Sequence, residues 1–333
     1  MRVLKSSELK TIEQLFGLSQ ASLKKAVTSI LRSNYKEVVA TDQYVYAIGD
    51  IPIALTAHLD TVFKNPPKEI FYDQRKGVLI SPDGLGADDR AGVYAILQII
   101  KAGYRPHIIF TTDEEIGCVG AAALAKLSCP FDYLKFVIEL DRRGTNDCVF
   151  YDCDNVDFVK YISSFGFTEA FGTFTDICEF CPAWEVAGVN LSVGYRDEHS
   201  YGEVLFIEPW FDTIEKVKKI LQDDTAPCFK YIPVSYLNSV YGWNYGNYGY
   251  YNSGYGVGKC TCRKCGTKAW SEEMFPVTMK NGKIDTFCGD CVVDGVEWCY
   301  MCGMPYEITD EEIITNSGFV CDKCKEEKAQ VKA

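Results

Sequence analysis

Gly84-Leu85-Gly86-Ala87-Asp88-Asp89-Arg90-Ala91-Gly92 leads into Val93, Ile96, Leu97 and Ile100, apolar residues at helical spacing. The stretch predicts a glycine-rich turn opening a helix over 89–101, with glycines that let the backbone approach its neighbours closely. Asp88 sits just before that helix and suits two roles. It can cap the first turn, or its two oxygens can bridge two cations. The flanking sequence chooses between these roles.

Upstream, the apolar run Ile51–Leu55 predicts a strand that ends in Ala57-His58-Leu59-Asp60-Thr61-Val62. A histidine followed two residues later by an aspartate suits a metal ligand with a carboxylate that orients its ring. Downstream, the short buried strand His107–Phe110 runs into Thr111-Thr112-Asp113-Glu114-Glu115-Ile116-Gly117. Three consecutive acids beyond a buried strand are costly unless solvated or neutralised by cations. A third strand, Leu134–Leu140, delivers Ile138-Glu139-Leu140-Asp141-Arg142-Arg143, and a fourth, from Val189, delivers Gly194-Tyr195-Arg196-Asp197-Glu198-His199-Ser200. The chain has three histidines, His58, His107 and His199, and two of them fall in these segments. Helical patterns over 117–127, 156–165 and 209–221 alternate with the strands. The pattern predicts an α/β fold, a three-layer sandwich with a central mixed β-sheet flanked by helices. Open sheets of this kind place their sites at the carboxyl ends of the strands.

Histidine, bridging aspartate, a glutamate pair, aspartate and histidine, in that order, resemble the di-zinc aminopeptidase and carboxypeptidase superfamily. That superfamily includes peptidase T-like and acetylornithine-deacetylase-like members, and the likeness runs over roughly 35–225. His58-Leu59-Asp60-Thr61-Val62, the Gly84–Gly92 turn, Thr112-Asp113-Glu114-Glu115-Ile116-Gly117 and the Gly194–Ser200 segment carry it. The resemblance implies that Asp88 bridges both metals, His58 and Asp141 complete one site, and Glu115 and His199 complete the other. It implies Glu114 as general base and Asp60 as the partner that fixes the tautomer of His58. Asp176 and Arg196 are weaker candidates for substrate contact. Two catalytic zinc ions are the expected cofactors, and the same ligands would take manganese or cobalt. The span from Arg142 to Glu198 is too short for the dimerisation lid of many carboxypeptidase and deacylase relatives, which favours an aminopeptidase-like enzyme. Its substrate would be a peptide. An N-acyl amino acid amidohydrolase uses the same residues and is the alternative. From another class, a zinc-ribbon adaptor with an inert hydrolase domain is the third.

Toward the C-terminus, Cys262/Cys265, Cys288/Cys291, Cys299/Cys302 and Cys321/Cys324 form four CxxC pairs. Paired knuckles at this spacing predict two small four-cysteine zinc-ribbon modules and two structural zinc ions. The expected organisation is an N-terminal helical region over 1–34, a catalytic domain over 35–228, a Tyr/Gly/Asn-rich linker over 229–259 and the ribbons over 260–333. The N-terminal residues are polar and lack an apolar export core. No apolar run approaches the ~18 residues of a membrane span. The expectation is a cytoplasmic protein with no membrane role, its cysteines reduced. With 47% hydrophobic residues, a full core can be buried, while a formal charge of -12 disfavours nucleic acid as a partner. A protein partner for the ribbons fits better.

Overall fold

The computed structural model describes residues 2–234, 259–270, 274–278, 284–288, 296–298 and 305–307. The chain divides into two compact units, 1–240 and 241–333.

Strand β3 (Ile51–His58) anchors the first unit. It pairs in parallel with β6 (Pro106–Thr111) on one side and β7 (Val137–Arg142) on the other, and β7 pairs in parallel with β10 (Gly188–Ser192). Strands β1 (Glu37–Ala40) and β2 (Tyr44–Ile48) extend one edge antiparallel, and β8 (Asp147–Val149) with β9 (Thr168–Glu169) extends the other. The eight-stranded order is β1-β2-β6-β3-β7-β10-β8-β9.

Both faces of the sheet are covered. Ile53, Leu55, Ile108, Phe110, Ile138 and Leu140 point into one core, packed by α1 (Ser6–Phe16), α2 (Gln20–Asn34), α3 (Ala87–Lys101) and α7 (Ile207–Gln222). The alternating residues Ala54, Ile109 and Val137 point into a second core under α4 (Val119–Ala125) and α6 (Ile177–Ala183). Strands buried on both faces read as continuous apolar runs, as 51–55 and 107–110 do. Helix α3 lies so close to the sheet that a Cβ on Gly92 would stand 1.9 Å from the carbonyl oxygen of Leu140. Only glycine fits there. Trp210 of α7 fills the core behind it, its ring 4.6 Å from that of Tyr94 and its indole N–H donating to the Ala91 carbonyl.

Between Asp141 and His199 the chain builds β8, α5 (Val156–Ser163), β9, α6 and β10. This stretch therefore belongs to the main unit. Helix α6 and the strand β9 were not expected from the sequence; the segments 69–72 and 78–81 on either side of 75–77 read as a hairpin and form one, but the strands at 195–196 and 204–206 that extend it into a small second sheet were not expected. The second sheet has the order β11 (Tyr195–Arg196), β12 (Val204–Phe206), β5 (Val78–Ile80), β4 (Phe71–Asp73). Strands of two or three residues are too short to show an alternation. Residues 229–233, expected to open the linker, pack on the first unit: Phe229 sets its ring against Phe136, Phe158 and Tyr161, and Lys230 and Pro233 bridge to Val186 and Cys153.

In the second unit, β13 (Lys259–Thr261) and β14 (Lys268–Trp270) flank a turn in which Gly266 N–H donates to the Cys262 carbonyl. Cys262 is buried there and Cys265 exposed. A separate sheet has the order β16 (Ile284–Cys288), β15 (Met274–Thr278), β18 (Pro305–Glu307), β17 (Val296–Trp298). Cys291, Cys299, Cys302, Cys321 and Cys324 lie outside the described residues, as does 235–258 of the tyrosine- and glycine-rich tract. No helix among the described residues is long and apolar enough to cross a membrane.

Candidate metal centre

The carboxyl ends of β3, β6 and β7, the first turn of α3 and the loop after β11 bring five predicted ligands together. His58 ends β3. Its Nδ1 bonds the Asp60 carboxylate at 3.2 Å, so the tautomer that donates there leaves Nε2 with a free lone pair. That Nε2 faces Asp88 Oδ1 at 3.1 Å and Asp141 Oδ1 at 3.5 Å. His199 Nε2 faces the other oxygen, Asp88 Oδ2, at 3.1 Å and Glu115 Oε2 at 3.0 Å. The two groups His58/Asp88/Asp141 and Asp88/Glu115/His199 each hold ligand atoms within 4.8 Å of one another and share only Asp88.

Asp88 can serve both groups because it caps nothing. Gly86, at φ 65, opens the helix. The N–H groups of Gly86 and Asp88 donate to the buried carboxylate of Glu203 at 2.6 and 2.9 Å, and Gly92 N–H donates to Asp89 at 2.8 Å. Capping falls to Glu203 and Asp89, and the Asp88 oxygens face the imidazoles. Asp60 organises the opposite side. Besides holding His58, it accepts the N–H groups of Glu114 and Glu115 at 3.0 and 3.1 Å. Asp141 is held through Asn190, whose amide accepts from the Asp141 N–H and donates to its carbonyl, both at 3.0 Å. Tyr195 and Thr175 hydroxyls donate to its two carboxylate oxygens at 3.0 and 3.2 Å.

The donor set fits cations. Four carboxylates, those of Asp88, Glu114, Glu115 and Asp141, converge and, among the described residues, none forms an ion pair with a lysine or arginine, while Glu115 Oε1 is buried without a hydrogen-bond partner. Burial, with added repulsion from neighbouring carboxylates, raises Glu114 and Asp141 to about 7 and Glu115 to about 8. Burial alone would lower His58, but Asp141, Asp60 and Asp88 outweigh it and hold the ring well above its usual value. Its bond to Asp88 raises His199 to about 9. Two divalent cations would neutralise this crowding, and imidazole with carboxylate suits zinc.

A consequence for the metal-free protein follows. Carboxyls unfold to values near 4 and histidine to about 6.5. From there up to about 9, the folded metal-free chain holds more protons than the unfolded one, so its stability falls as pH rises. The depressed groups, Asp60 and Asp88, act only below about 4. In chelator, the melting temperature is expected to drop steadily between about pH 5 and 9, and added zinc to flatten that slope. Thermal melts across this range check it, and a metal-free melting temperature that is level or rises with pH would be inconsistent with the cluster.

The remaining candidates are not among the ligand groups. Asp176, at the start of α6, has no exposed surface; its carboxylate accepts from the Thr111 hydroxyl at the end of β6 and feels the charges of Glu114, His58 and Asp60, so it lies behind the centre and presents nothing to a substrate in this structure. Arg196 is exposed, its guanidinium 5.3 Å from the Phe206 ring. Arg143 pairs with Glu198, and Arg142 donates to the Phe171 carbonyl. His107 lies away from the centre, stacked on Phe131. Glu203, Asn190 and Tyr195 were missed. Asn190 alone carried a signal, an amide within an apolar strand, which must find partners when buried.

Residues 39–157 match the family described as Peptidase family M28. No curated protein sequence matches. Among solved structures, aminopeptidase PepT from Bacillus cereus ATCC 10987 superposes with a TM-score of 0.53 at 16% identity, covering 64% of this chain and 97% of that one. A tripeptidase from Staphylococcus aureus subsp. aureus Mu50 gives 0.50 at 14% identity, covering 65% and 98%. At these identities the likeness is one of fold.

Proposed function

We propose, on the premise that the chain carries a peptidase family M28 domain over residues 39–157 and is a metallopeptidase-type hydrolase, that it is an aminopeptidase with two cations at one centre. The observation that carries this is Asp88, whose two oxygens each stand 3.1 Å from a different imidazole. His58, Asp88 and Asp141 would hold one zinc ion, and Asp88, Glu115 and His199 the other. Such ions, when bound, polarise a scissile carbonyl and make water a stronger acid.

The chain's own residues supply the proton handling. Glu114 belongs to neither ligand group, and its Oε2 lies 4.0 Å from His58 Nε2. Glu114 takes the proton of the attacking water at its carboxylate and returns it to the departing amine nitrogen as the C–N bond breaks. Burial holds it near 7, where it can do both. Asp60 fixes Glu114 and Glu115 by their backbone N–H groups and His58 by its ring, so one carboxylate aligns base and ligands. The four CxxC pairs are proposed to hold two structural zinc ions, serving protein or substrate targeting.

Substrate polarity is tested with zinc-loaded protein on aminoacyl-anilides and dipeptides against N-acetyl amino acids. The expected result is cleavage only where the α-amine is free. Cleavage of N-acetyl amino acids alone would make the chain a deacylase, and no cleavage of any substrate by the zinc-loaded protein would favour an inert scaffold.

A further inference from the structure

The turn that carries Glu114 and Glu115 adopts an unfavourable backbone. Asp113 (φ 59) and Cys118 (φ 50) both occupy the left-handed region that residues with a Cβ avoid. Such a turn keeps its shape only when its surroundings hold it. Asp60 supplies one set of bonds, to the N–H groups of Glu114 and Glu115. The other set comes from the first residue of α2. Gln20 Nε2 donates to Asp113 Oδ1 at 2.8 Å, and Asp113 N–H donates to Gln20 Oε1 at 3.1 Å. The amide closes a ring of two hydrogen bonds around the residue that begins the turn.

The segment bearing Gln20 is itself tied to the centre. Arg90, only 4% exposed, donates to the Leu18 carbonyl and to the Leu59 and Asp60 carbonyls. Ser19 caps α2. Thus Leu18–Gln20 is linked through Arg90 to the His58–Asp60 turn and through Gln20 to the Glu114–Glu115 turn. These residues precede the stretch 39–157 that matches the peptidase family.

We infer that Gln20 is a positioning residue for the active centre, holding Asp113 left-handed so that Glu114 and Glu115 face the cations. This rests on the two-cation function proposed above. Without the ring, Asp113 relaxes toward ordinary backbone angles and the two glutamates shift together. Displacement of about 1 Å costs up to about a hundredfold in rate; a partial shift is expected here, because Asp60 still holds the next two residues.

The test is a double-mutant cycle of Gln20→Ala and Asp113→Ala in the full chain. Rates are read on an aminoacyl-anilide, and metal affinity with Mn2+, which carboxylate–imidazole sites take and thiolate sites disfavour. Each single variant is expected to lose about tenfold in kcat with KM little changed, and the double variant no more than either, because the pair acts as a unit. One Mn2+ equivalent, the one that Glu115 helps to hold, should loosen while the other holds. An unchanged kcat in Gln20→Ala, or losses that multiply in the double variant, would overturn the inference. If the wild type cleaves none of the substrates, the proposed function fails separately, and Mn2+ affinity alone then decides: no loosening in Gln20→Ala overturns the positioning role.

Discussion

Replacing Glu114 by glutamine is expected to lower kcat by about 10²- to 10⁴-fold while the bound metal stays in place. The amide keeps the volume and the backbone N–H that Asp60 accepts, but it cannot take a proton from water. Neither ligand group includes Glu114, so metal content measures whether the centre survived the change. KM should move little, since the lost interaction acts in the transition state. Turnover in Glu114→Gln within a few-fold of wild type would remove Glu114 from the reaction. Loss of metal in parallel with loss of rate would make it a ligand.

Asp88→Ala should have the other large effect. Both groups share this carboxylate, so each loses a ligand at once, and two metal equivalents per chain are expected to disappear together with all measurable hydrolysis. The local backbone has independent support: Glu203 accepts the Gly86 and Asp88 N–H groups, which the substitution leaves in place. The zinc-dependent gain in melting temperature should vanish accordingly. Elemental analysis beside the wild type checks the prediction, with any ribbon zinc as the internal constant. Retention of one equivalent at the centre would show that Asp88 serves a single ion.

Much of this was legible in the sequence, for identifiable reasons. The strands behind His58, Glu114 and Asp141 are buried on both faces, so they show as apolar runs, and their ends fall where chemistry collects. The choice of Asp88 over Asp89 rested on family order, and sequence alone left capping open. What separates the two residues is that Asp89 accepts the Gly92 N–H and so caps the helix, while Glu203, more than a hundred residues along the chain, accepts the Gly86 and Asp88 N–H groups and holds the turn. No local pattern encodes the bonds of Glu203. Gln20 and Arg90 were illegible for the same reason: a polar residue at a helix start looks like solvated surface until its partner, Asp113, is brought to it. Of the second sheet only the β4–β5 hairpin was legible, because β11 and β12 are too short to alternate, and Phe229 looked like the start of a linker because its aromatic partners, Phe136 beside β7 and Phe158 and Tyr161 of α5, lie far back in the chain.

The central claim is that one carboxylate sits between two cations. A zinc anomalous difference map from crystals of the zinc-loaded protein tests it directly. Two peaks are expected beside Asp88, one contacting His58 and Asp141 and the other contacting Glu115 and His199. A single peak, or none in the presence of excess zinc, would contradict it.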